Sequence, residues 1–86
     1  MTMVYRIVSY DKQTERKCGE TAIPDGKLAA IREIAGISPS DDGLGDYPLS
    51  HDQANVVARL LRMKIDCDAF AYYVEPYEVP VAKNRA

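Results

Sequence analysis

Eighty-six residues, 47% hydrophobic and 28% charged, make one small globular domain and exclude a disordered chain. A net charge of −2, with 11 basic against 13 acidic residues, argues against a nucleic-acid partner. No apolar run reaches the roughly 20 residues that a membrane-crossing helix needs, so no membrane role is expected.

The start, MTMVYRIVSY, carries Arg6 inside its apolar stretch and has no small-residue cleavage site, unlike a secretory signal. Residues 3–10 are rich in β-branched and aromatic side chains and apolar on both faces, which predicts a central strand. Asp11 opens a polar turn, because its carboxylate can bond the backbone just ahead. Residues 16–23 give a weaker second strand with a bulge near Gly19, and the two strands form a hairpin.

A helix follows with its punctuation written out. Pro24 suits the first turn and Asp25 complements the positive end of the helix dipole. Leu28, Ile31, Ile34 and Ala35 make the apolar stripe, and Gly36 ends the helix in a Schellman arrangement that returns Ile37 to Ile31. Ser50 and Gln53 form a capping box for a second helix, expected to run from 51 to about 66. Ala54, Val57, Ala58, Leu61 and Ile65 are its core face. Val56, Leu60 and Met63 form a second apolar stripe. Residues 67–80 read as a last strand, interrupted at Pro76.

The order is β-β-α-α-β. It predicts an α+β domain over residues 1–81 with a frayed tail at 82–86: a three-stranded sheet, order 2-1-3, with two helices on one face. Two helices reverse the chain twice, so the last strand is expected parallel to the first, with an all-antiparallel sheet in the order 1-2-3 as the alternative.

Between Arg32 and Arg59 there is no Lys or Arg, while Glu33, Asp41, Asp42, Asp46 and Asp52 are acidic. The segment SPSDDGLGDYPLSHDQ, residues 38–53, holds most of that charge. It is not a calcium loop of the EF-hand type. Gly43 at the loop's glycine position puts Leu49 where the bidentate Glu belongs, and Gly45 there puts His51 in that place. No phosphate-cradling glycine motif is present. The single His and the distant Cys18 and Cys67 give no transition-metal spacing, so neither metal nor cofactor is expected. The cysteines read as free thiols of a reducing cytoplasm, with a single bridge between them as the alternative.

His51, at the first position of the second helix, is the one candidate general base, but no nucleophile is paired with it. Six of the seven aromatic residues are Tyr, a residue suited to half-buried sheet faces and to interfaces. The sequence therefore reads as a small cytoplasmic interaction module, bacterial in style and without catalysis. Asp41, Asp42 and Asp46 would be its docking surface for a basic protein, as in an inhibitor or immunity-type protein. Its small core and surplus apolar stripe suggest a homodimer through Val56, Leu60, Met63 and Tyr73. The alternative is a small enzyme or small-molecule binder using His51 with nearby Tyr and Asp residues. Millimolar calcium is expected to leave the thermal midpoint unchanged. A rise abolished by Asp42→Asn would place a cation in the acidic loop.

Overall fold

A computed structural model describes residues 2–79, and the expected tail at 82–86 lies outside them. The elements in chain order are β1 (Thr2–Asp11), β2 (Lys17–Ala22), α1 (Asp25–Ile34), β3 (Tyr47–Pro48), α2 (His51–Leu61) and β4 (Phe70–Val79). They form a small α+β fold with a sheet and two helices. The sheet has four strands, not three, in the order β2-β1-β4-β3. Every pairing is antiparallel, so the last strand does not run parallel to the first.

The connection after α2 explains the direction of β4. Met63 and Lys64 lie beside Cys18 to Thr21 of β2, and Lys12 Nζ donates to the Cys67 carbonyl at 2.6 Å. Residues 62–69 thus return the chain to the C-terminal end of β1, a reversal that a count of helices alone omits. The added strand, β3, is two residues long. Tyr47 and Pro48 pair with Val74 and Tyr73, and a strand so short leaves no periodic pattern to read.

Local chemistry sets the element ends. Asp11 Oδ1 accepts from the N–H groups of Gln13 and Thr14, which closes the hairpin turn. The hairpin register shifts opposite Ser9 and Tyr10, where Cys18 is the extra residue next to Gly19. At the end of α1, Gly36 has φ +74°. Its N–H donates to Glu33 O and that of Ile37 to Arg32 O, the two bonds of the Schellman motif.

The second helix begins as its capping box dictates, with Ser50 Oγ accepting from Gln53 N–H and Gln53 Oε1 accepting from Ser50 N–H. It ends at Leu61, earlier than expected. Arg62 takes a left-handed conformation, φ 56° and ψ 43°, and Met63 N–H donates to Ala58 O at 3.0 Å. That turn aims Met63 and Ile65 into the core from a segment outside the helix.

The core lies between the helices and one sheet face. Ile7, Ile31, Val57 and Val74 are almost wholly buried there, with Ile23, Ile37, Ala54 and Tyr72 around them. Gln53 Nε2 ties the start of α2 to the Ile34 carbonyl at the end of α1. Lys27 Nζ caps Leu60 O at the other end of the helix pair. Pro76 does not interrupt β4. Its partner Tyr5 turns its carbonyl toward β2, where Ile23 N–H donates to it, so the ladder with β1 needs no N–H from Pro76. Both cysteines are free, with Cys18 exposed and Cys67 half-buried.

Two substitutions test these ends. Ser50→Ala is expected to cost about 1 kcal/mol by removing the cap. Arg62→Gly should gain roughly 0.5–1 kcal/mol, because glycine takes the left-handed turn without steric cost. Urea unfolding of both variants measures this, and a neutral Arg62→Gly would mean that the turn is not strained.

Candidate binding cleft on the open sheet face

Strand alternation sends Tyr5, Ile7, Tyr72 and Val74 toward the helices and their neighbours to the opposite face. That second face carries Arg6, Val8 and Tyr10 of β1, Glu20 of β2, and Tyr73, Glu75 and Tyr77 of β4. Val8, between Glu20 and Tyr73 in the register, is fully buried although α1 and α2 pack on the other face. The long side chains flanking it do the covering.

Among the described residues, Glu75 is the buried charged one, only 7% exposed. Tyr10 Oη donates to its Oε2 at 2.6 Å and Tyr77 Oη to its Oε1 at 3.1 Å. The Tyr77 hydroxyl in turn accepts from Lys17 Nζ at 3.3 Å. Arg6 stands directly across the ladder from Glu75, yet its guanidinium is committed elsewhere. It lies 4.4 Å from the centroid of the Tyr77 ring and pairs with Glu20 at 3.2 Å. Lys17 also pairs with Glu20, at 2.6 Å. Among the described residues, Glu75 therefore has hydroxyl donors and no ion pair.

A cleft of about 460 Å³ opens beside Glu75, lined by Tyr10, Asp11, Lys12, Glu15, Asp46, Ala71 and Tyr73. Tyr10 and Tyr73 meet edge to face, with ring centroids 5.4 Å apart. Four of the lining residues are carboxylates. The single cation, Lys12, is drawn to the Cys67 carbonyl. The cleft thus combines net negative charge, aromatic walls and one largely desolvated carboxylate.

The acidic loop contributes only in part. Asp41 accepts from Gly43 N–H at 2.7 Å and from Tyr47 Oη at 2.5 Å. The Tyr47 hydroxyl, the Gly43 amide and nearby Arg32 hold the Asp41 carboxyl below its ordinary pKa. Asp42 accepts from Leu44 N–H at 3.0 Å. Both residues build the loop. Arg32 Nη2 donates to the carbonyls of Ser38 and Asp41, and Gly43, at φ +76°, sits so close to the ends of Tyr5 and Arg32 that a side chain there would be strained and would displace them. Asp46 alone of the three reaches the cleft.

The other expected site residues are dispersed. His51 is exposed at the start of α2, on the helix side of the sheet, and the fold does not bring it to the Tyr and Asp residues of the cleft. Val56 is 39% exposed, whereas Leu60 and Met63 pack against the core. Tyr73 faces the side of the sheet opposite the α2 stripe. A charge at Met63 would disturb the core rather than a dimer contact alone. No local signal marked Glu75. The alternation of residues 70–79 places it on the face of Tyr73 and Tyr77, but its burial depends on Tyr10, 65 residues earlier in the chain.

The Tyr10–Glu75 bond sets a pH response. Donation to Glu75, aided by burial and the nearby carboxylates, pushes the Tyr10 phenol up to about 12. A raised folded-state value means that this bond contributes fully below the ordinary phenol pKa near 10 and is lost as pH rises through about 12. Stability to urea should fall across that window, and Tyr10→Phe should flatten the fall. An equal slope in the variant would exclude Tyr10 as the titrating group.

No curated protein and no solved structure matches the chain. A family model described as a domain of unknown function (DUF7683) matches residues 4–75, a span holding every residue that lines the cleft. The chain belongs to the DUF7683 family.

Proposed function

We propose that this chain is a non-catalytic binding module that receives a basic surface of a protein partner on the open face of its sheet. The observation that carries the reading is Glu75, a buried carboxylate held by two tyrosine hydroxyls at the rim of a cleft with three further carboxylates. Burying a charge without a counter-ion costs several kcal/mol. A cation that enters the cleft recovers part of that cost. The exposed Glu15 and Asp46, with half-buried Asp11 beside them, steer a basic partner inward and speed encounter.

The reading moves the docking surface. Asp41 and Asp42 serve through the loop they build, and Asp46 is the loop's contribution to the contact. Reaction chemistry has less support, because the one hydroxyl paired with a carboxylate in the cleft, Tyr10 on Glu75, has its phenol pushed up rather than activated. Any self-association of the chain would compete for the same open face if it involved Tyr73.

An oligolysine peptide titrated into labelled protein serves as a generic basic probe. Amide shifts are expected at Asp11, Asp46, Ala71 and Tyr73, weakening steeply as salt rises. Shifts confined to the helices, or none at low salt, would overturn the assignment of the face.

A further inference from the structure

We infer that the group this cleft is built to receive is the guanidinium of an arginine on the partner protein, in preference to a lysine ammonium. The inference rests on the binding-module reading above and names the chemistry of its anchor. Three features of the cleft favour a guanidinium.

The first is the acceptor. Each Glu75 oxygen takes one tyrosine hydroxyl, which leaves one lone pair on each. Two parallel donors match what remains, and the guanidinium carries its N–H groups in that fork, while an ammonium presents a single point. The second is burial. Glu75 is 93% removed from solvent by the same measure that leaves it 7% exposed, so its partner must shed water too. A guanidinium is more weakly hydrated than an ammonium and loses less on entry.

The third is the wall. Tyr10 and Tyr73 stand edge to face at 88°, and a planar cation can lie along a ring face that the other tyrosine leaves open. The same sheet face already holds one such pair, with Arg6 stacked 4.4 Å from the Tyr77 ring centroid. Lys17 meets the same ring through its hydroxyl, with Nζ farther from the centroid at 5.2 Å. The fold thus displays both cations over one tyrosine, and the guanidinium makes the closer approach to the ring face.

Three peptides of identical length, carrying one Arg, one Lys or one neutral citrulline, separate the possibilities by shift titration against the full chain. Arginine amide serves as a fourth probe. The Arg peptide is expected to bind about tenfold more tightly than the Lys peptide, with the largest shifts at Tyr10, Ala71, Tyr73 and Glu75. Glu75→Gln should remove most of that preference. Asp46→Asn, at an exposed position, should weaken both cationic peptides alike by a few-fold and leave the preference intact. If Glu75→Gln fails to fold, Tyr73→Leu replaces it, with loss of the Arg preference expected. Equal affinity for Arg and Lys peptides overturns the guanidinium assignment but leaves the binding module standing. Failure of both cationic peptides, or binding of the citrulline peptide as tight as the Arg one, overturns the module as well. Arginine amide binding as tightly as the peptide would assign the cleft to a small guanidine and overturn the protein source.

Discussion

The antiparallel ladder that runs from Thr2 opposite Val79 to Asp11 opposite Phe70 joins the first and last long strands of the fold, and the remaining elements take their places from it. Ten residues on each side fix the alternation of side chains, and one residue of slip would exchange the two faces. Ile7 and Val74 then meet under the helices, while Arg6 and Glu75 meet on the open side. The same register therefore specifies both the apolar core and the polar cluster. A binding surface tied to core register in this way resists drift, because a slip of β4 that moved Glu75 to the other face would also expose Val74.

The two helices could be read in the sequence largely because their caps are local. Ser50 and Gln53 satisfy each other across three residues, and Gly36 permits the turn that returns Ile37 to the core. The end of α2 was hidden for the converse reason. Arg62 gives no hint of a left-handed turn, and the apolar spacing of Met63 and Ile65 continues a helical pattern that the backbone has already left. The acidic loop looked like one surface in the sequence. In the fold, side-chain-to-backbone bonds absorb Asp41 and Asp42, and only Asp46 is left to the cleft.

The antiparallel course of β4 and the existence of β3 were not legible. One depends on the path of residues 62–69 over β2, and the other on two residues whose pairing partners lie more than 20 positions away. Glu75 belongs with them. A Glu in a strand is ordinarily solvated, and its neighbours Val74 and Pro76 carry no polar signal. Only the meeting of Tyr10, Tyr77 and Glu75 across the ladder turns it into a buried acceptor. Tyrosine content hinted at a half-buried face but did not say which residues shared it. Tyr5, Tyr47 and Tyr72 serve the core side, and Tyr10, Tyr73 and Tyr77 the open one.

The pairing of Thr2 with Val79 also decides how this domain can be handled or joined to other chains. Both ends of the described chain leave from one corner of the sheet, while the cleft sits at the far end of the same ladder, beside Tyr10 and Ala71. Ten strand residues separate them by roughly 30 Å. A fluorophore placed beside Thr2 or Val79 would sit far from the cleft, and tethering the domain to a sensor chip by that corner would point its mouth outward. The close pairing of Thr2 with Val79 also suits insertion of the described domain into a loop of a host protein, which would then display the acidic cleft away from the host.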